Sequence, residues 1–135
     1  MYQKFSPYII VGVFLVTAWI AFGGLLDQPW SYDDEPHVEK AAAVAQSPGV
    51  LLDGNSKEPL RFVSHLYFLV IYALTDATPG AYHFCNILLH LMNCGILIYV
   101  AKRWIGLPAA VIAGFLFLIN TAGYEAIYSI AASAT

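Results

Sequence analysis

Charge is what this sequence has least of. Six basic and nine acidic residues make up 11% of 135, where soluble domains carry about 25%. Hydrophobic residues reach 59%. That is too many for the core of so short a chain, and they gather in long runs, so the solvent they imply is a bilayer. Cations are scarcest. Net charge is −3 and no basic patch or basic amphipathic helix occurs, so nucleic-acid binding has no electrostatic footprint. Cysteine is nearly absent. Cys85 and Cys94 lie nine residues apart on one predicted helix, roughly 13 Å along it and on opposite faces, so they cannot bridge each other. They read as small buried apolar residues. Internal repeats and low-complexity segments are absent too.

What remains is a set of apolar runs broken by one polar excursion. Aromatic residues make up 15%, and many flank the runs, as interfacial Trp and Tyr do. Pro7 suits a first helical turn. Tyr8 to Leu26 holds no charge over nineteen residues, about 28 Å as a helix and long enough to span hydrocarbon. The run is long for a signal peptide, the segment before it is thin, and no A-x-A site follows, so a retained first transmembrane helix over 8–26 is expected. Trp30 and Tyr32 would lie in the far interface.

Residues 27–80 hold eight of the nine acids and are expected as an external loop. Its densest part is Ser31-Tyr32-Asp33-Asp34-Glu35-Pro36-His37, three consecutive carboxylates followed by an imidazole. Residues 37–46 are alanine-rich and predict a surface helix, stopped by Ser47-Pro48-Gly49. Asp53-Gly54-Asn55 is a turn. Residues 62–74 are apolar but short, which predicts a surface or re-entrant helix.

Residues 82–101 predict the second span, closed by Lys102-Arg103-Trp104. His83, Asn86, His90 and Asn93 recur at steps of three, four and three. At about 100° per residue they form one stripe roughly 80° wide. Polar groups are costly in lipid, so this face is expected to pack inward. It serves either as hydrogen-bonding glue between helices or as a ligand or substrate wall. Residues 107–122 predict a third span. In it Ala109/Ala113 and Ala110/Gly114 are small-xxx-small pairs that let backbones approach closely. Residues 123–135 form an external stretch with one acid, Glu125. It ends without a polar tail, which reads as a truncation.

The expected fold class is therefore an all-α integral membrane protein: one module of three transmembrane helices with an external loop bearing one or two short surface or re-entrant helices. Lys4, Lys102 and Arg103 sit tight against helix ends and fall on one side of such a three-span chain. Positive-inside then places the N-terminus in the cytoplasm, with the acidic loop and the C-terminus outside. A bacterial inner membrane is the expected location.

Pro79-Gly80-Ala81-Tyr82-His83-Phe84-Cys85-Asn86-Ile87-Leu88-Leu89-His90 resembles the start of the second helix of GT-C membrane glycosyltransferases. It is most similar to the protein O-mannosyltransferase-like type with tetratricopeptide repeats, whose pattern there is Tyr/Phe-His-x-x-Asn-x-x-x-His. Tyr32-Asp33-Asp34 falls where those enzymes carry acids in the first external loop. Pro59-Leu60 resembles their Arg-Pro-Leu, with Glu58 in place of the arginine and Arg61 beyond. Glu125-Ala126-Ile127 resembles their Glu-Ala-Val, though Asn120-Thr121 replaces their His-Pro. The resemblance implies sugar transfer from a polyprenyl-phosphate donor on the external face. An acid of the first loop, Asp33 or Asp34, would serve as general base or help hold a divalent metal, with Glu35 as an accessory acid. Arg61 would pair with a donor phosphate. His83, Asn86, His90 and Glu125 would be further binding positions.

Three functions fit these features. The first is an accessory or scaffold subunit, a truncated GT-C-like module that docks on a larger membrane complex, with lipid and other integral membrane subunits as its partners. The second is the N-terminal fragment of a polyprenyl-phosphate-sugar-dependent glycosyltransferase. The third is a pigment- or metal-binding subunit. In it His65, His83 or His90 could ligate a chlorophyll-type pigment or a haem, and Asp33 and Asp34 with His37 could hold a divalent ion.

Overall fold

The computed structural model describes residues 6–31, 34–47, 62–75, 77–120 and 127–128. Among them all regular structure is helical. Helix α1 (Pro7–Phe22) runs into a 3-10 turn (Gly23–Asp27), followed by α2 (Glu35–Gln46), α3 (Phe62–Thr75), α4 (Pro79–Ile105) and α5 (Leu107–Leu118). The Pro7–Asp27 segment and α4 are each long and apolar enough to cross a membrane. Most of their large apolar side chains face outward: Tyr8, Ile20 and Trp104 are exposed, as are Leu88, Leu89 and Ile96.

Proline starts each of α1, α2, α4 and α5. Its fixed φ suits the first turn, and its missing N–H would have had no helical partner there. The predicted first span is not one continuous α-helix. Phe22 leaves helical geometry at φ −126°, and the chain tightens into the 3-10 turn at Gly23-Gly24, where two glycines weaken the α form. Helix α4 extends the predicted second span at both ends. It stops where Gly106 takes φ +79°, a conformation that glycine adopts without a Cβ penalty.

The predicted third span comes out shorter than 107–122. Helix α5 has 12 residues, about 18 Å of rise against a hydrocarbon thickness of about 30 Å. Ile119 turns out of the helix at φ −93°, ψ 5°, and Asn120 N–H bonds back to the Phe117 carbonyl. A polar residue and a tightened last turn end it. Residues 121–122 and the rest of the expected C-terminal stretch, apart from Ile127 and Tyr128, lie outside the described residues.

Two cores hold the chain. The first joins α1, the 3-10 turn, α4 and α5 through Phe14, Ala18, Phe22, Leu25, Cys94 and Leu118. On α1 the buried positions 14, 18 and 22 recur every four residues, so one narrow stripe packs while the rest of an apolar helix faces out. On α5 the inward ladder is Ala110, Gly114 and Leu118. Of the two small-residue pairs, Ala110/Gly114 makes the close approach, whereas Ala109 is exposed and Ala113 half-buried. A Cβ on Gly114 would sit 2.5 Å from the Ile98 side chain of α4. The second core joins α2, α3 and the start of α4 through Ala41, Phe68, Ile71 and Tyr82, with Trp30 against it. At the far end of α4, Arg103 donates to the Tyr99 hydroxyl at 2.9 Å and Lys102 lies over the same ring.

Candidate functional site

The polar stripe of α4 is buried, but not as a single unit. His83 and Asn86 are 2% and 4% exposed, and His90 is buried below them. Asn93 is exposed, and Cys94 packs in the first core instead. The helical wheel gives the reason: Asn93 lies about 80° from His83, whereas Cys94 lies about 20° from it. Both cysteines are free thiols.

His90 is a clamp between helices. Its Nε2 lies 3.2 Å from the Leu118 carbonyl, one of the last carbonyls of α5, which lack a partner within their own helix. A carbonyl only accepts, so Nε2 carries the proton. The ring stacks on Phe117 at 5.1 Å and meets Phe22 edge-on at 5.9 Å. Nε2 is thus committed to capping α5. His90→Leu is expected to lower stability by about 1–3 kcal/mol, because the Leu118 carbonyl loses its partner in a buried place. Thermal unfolding of the detergent-solubilised chain measures it. A shifted absorption band in that variant would instead assign a metal or pigment to the ring.

Above His90 the arrangement differs. Tyr67 on α3 donates to Asn86 Oδ1 at 2.6 Å, and burial pushes its phenol well above the ordinary value, so it stays a donor. Tyr82 donates to the Phe68 carbonyl at 2.9 Å, and Trp30 meets the Tyr82 ring edge-on at 5.2 Å. These contacts fasten α3, and the segment leading to Asp34, against the start of α4.

Asp34 is fully buried at that junction. It precedes the first turn of α2, where an aspartate ordinarily caps the helix with its carboxylate. Here the carboxylate makes no such cap, and Oδ2 accepts the Ser31 N–H at 3.0 Å. The carboxylate lies within electrostatic range of the His83 ring. Among the described residues no strict hydrogen bond reaches either ring nitrogen of His83, and the Ile127 backbone is close enough to act on the ring. Asn86 Nδ2 and Ser31 Oγ are buried with no hydrogen-bond partner among the described residues. Buried polar atoms are nearly always paired, so the Ser31–Asp34 segment and the first two turns of α4 carry more stranded polar atoms than packing alone explains.

The other sequence candidates fall elsewhere. Glu35 is exposed on the first turn of α2. His37 stacks its ring on Phe68 at 5.1 Å, between α2 and α3. Among the described residues no three His, Cys, Asp or Glu side chains group closely enough to hold a metal ion. Asp33, Arg61 and Glu125 lie outside the described residues, as does the side chain of His65. Sequence reasoning missed Ser31 and Tyr67 as members of the site. Ser31 stands within the acidic segment, but nothing in an apolar run marks Tyr67 as the partner of an asparagine nineteen residues away. Chemically, the place combines a carboxylate that can take a proton with an imidazole and an amide that can orient a hydroxyl. Comparison with protein-family models, with curated proteins and with solved structures finds no match.

Proposed function

We propose that this chain is the membrane module of a GT-C-type glycosyltransferase, acting on a polyprenyl-phosphate-linked sugar at the external membrane face. The observation that carries this reading is the full burial of Asp34, with Oδ2 held on the Ser31 N–H. An acid in a merely solvated loop has no reason to be fully enclosed, and burying a carboxylate is costly without a compensating role. In this reading Asp34 is the first-loop acid that takes the proton from the acceptor hydroxyl. Asp33 and Glu35 are accessory acids, and Arg61 pairs with donor phosphate.

The membrane topology belongs to the same proposal. Pro7–Asp27 and α4 span, and α5 enters the bilayer as the third membrane helix. The N-terminus is cytoplasmic, and the acidic loop and C-terminal stretch are external. The outward apolar faces of α1 and α4 support lipid contact, and Lys102 and Arg103 at the end of α4 support the orientation.

A second reading, an accessory subunit of a larger membrane complex, is favoured by the exposed apolar face of α5, where Ile112 and Leu116 point away from the fold. One experiment separates the two. Membranes containing the chain are supplied with a radiolabelled polyprenyl-phosphate sugar, and label in the acceptor fraction is counted. Transfer that requires Asp34 supports the enzyme. Absence of transfer, with stoichiometric co-purification of other membrane subunits, would move the assignment to the accessory role.

A further inference from the structure

We infer that Tyr99, Lys102 and Arg103 form a docking site for the phosphodiester headgroup of an anionic glycerophospholipid, at the end of α4 away from Asp34. The inference goes beyond the glycosyltransferase reading. It needs α4 to lie across a membrane, for which the helix is long and apolar enough, but it does not need sugar transfer. Tyr99 stands about 24 Å along the helix from His83, at 1.5 Å per residue.

Helical spacing does not bring the two cations together. Neighbouring residues on a helix point about 100° apart, so Lys102 and Arg103 would ordinarily diverge. Here both turn onto one ring. Lys102 Nζ lies 4.5 Å from the Tyr99 ring centroid, and the Arg103 guanidinium carbon lies 5.1 Å from it. Arg103 Nη2 also donates to the Tyr99 hydroxyl at 2.9 Å, which fixes the guanidinium. The ring thus gathers two like charges whose mutual repulsion opposes the arrangement.

No acid offsets them from the helices that meet there. The sequences of α1, α4 and α5 hold no Asp or Glu, and none occurs between Asp76 and Glu125. The helix dipole and the positive-inside rule both favour cations at this end of α4. Those effects account for the charge but not for its convergence, since each acts on a cation wherever its side chain turns. An anion set between the two cations relieves the repulsion and accepts charge-assisted hydrogen bonds from both. A guanidinium fork also matches phosphate oxygens.

The surroundings select the kind of anion. Met92, Ile96, Tyr99 and Arg103 recur at steps of four, three and four, so they share one face of α4. Met92 and Ile96 are exposed on it, and Trp104 is 85% exposed just beyond the cations. A free phosphate gains nothing from that apolar track. A glycerophospholipid presents the same order along the membrane normal: acyl chain on Met92 and Ile96, phosphate on Lys102 and Arg103, with the indole at headgroup level.

The test measures lipid retention. The full chain is reconstituted in nanodiscs of equal parts phosphatidylcholine and phosphatidylglycerol and extracted in mild detergent. The lipid still bound is counted by native mass spectrometry. The expected result is retention of phosphatidylglycerol over phosphatidylcholine. Lys102→Gln and Arg103→Gln should each cut that preference about fivefold, the contribution of one cation beside an anionic lipid. Tyr99→Leu keeps both charges and the apolar track but removes the ring and hydroxyl that gather the cations. It should cut the preference about threefold or more. Circular dichroism checks folding. If Tyr99→Leu does not fold, Tyr99→Phe carries the test: it frees the guanidinium alone and should cost about twofold or more. Equal retention of the two lipids overturns the inference. So does a preference unchanged in the folded Tyr99 variant, which would leave only the diffuse attraction of a basic helix end. Displacement of the retained phosphatidylglycerol by inorganic phosphate would assign the site to the free anion and overturn it as well. No lipid preference alongside Asp34-dependent sugar transfer would remove this site and leave the enzyme reading standing. A Tyr99-dependent preference without transfer would do the reverse.

Discussion

Asp34→Asn is expected to lower sugar transfer by roughly two to four orders of magnitude, the range that a positioned general base contributes. The substitution is close to isosteric. An asparagine oxygen can still accept the Ser31 N–H that Asp34 accepts at 3.0 Å, and the fully buried site needs no repacking. What is lost is the negative charge and the ability to take a proton. The measurement is the initial rate of label transfer in membranes carrying equal amounts of chain, with helical content checked by circular dichroism. Transfer within a few-fold of the parent would take Asp34 out of the chemistry. If the chain is an accessory subunit, the same variant should leave its co-purification with partner subunits nearly intact.

Gly80→Val is expected to give the largest loss of stability of any single substitution considered. The start of α4 lies so close to the 3-10 turn that a Cβ on Gly80 would stand 2.7 Å from the Leu26 carbonyl oxygen. That oxygen belongs to the backbone and cannot swing aside as a side-chain tip can. Either the turn lifts from α4 or the first turn of α4 frays. Lifting the turn also loosens Leu25, which is buried in the first core. Overpacking of this kind costs roughly 1–3 kcal/mol, and the branched side chain adds a further clash. A companion variant sets the scale. Gly12→Ala on α1 meets nothing within 4 Å and should stabilise by up to about 1 kcal/mol, the difference in helix propensity. Thermal unfolding of both variants in one detergent makes the comparison. A Gly80→Val chain as stable as the parent would mean that the turn and α4 do not meet as described. Because the turn leads to the segment that places Asp34, Gly80→Val should also reduce transfer beyond what the lost folded fraction explains.

The elements were legible in unequal degree. Helices α1 and α4 could be read from apolar run length alone, since a helix needs about 20 residues to cross hydrocarbon. Proline and glycine marked their ends, because these residues act locally through φ and the missing donor. The break at Gly23-Gly24 lies inside an apolar run, so length could not show it. The early end of α5 depends on a cap from another helix: His90 on α4 takes up the Leu118 carbonyl. Within the polar stripe, spacing grouped four residues that the fold divides. His90 became a cap, Asn93 an exposed residue, and Asn86 the buried partner of Tyr67, one turn from the buried His83.

The acidic segment shows the same division. The sequence by itself determined that carboxylates would concentrate just beyond the first long helix, because runs of charge and of apolar residues separate along any chain that meets both water and lipid. It also determined that a polar face would line the second helix, because helical period is a property of the backbone. Only the tertiary structure decided that Asp34, with Oδ2 on the Ser31 N–H, would turn inward while Glu35 beside it stays exposed. It alone decided that Tyr67 would fix one end of Asn86 and leave the other with no partner among the described residues. These depend on contacts between segments distant in sequence, where packing geometry, and not local propensity, decides which polar groups are satisfied.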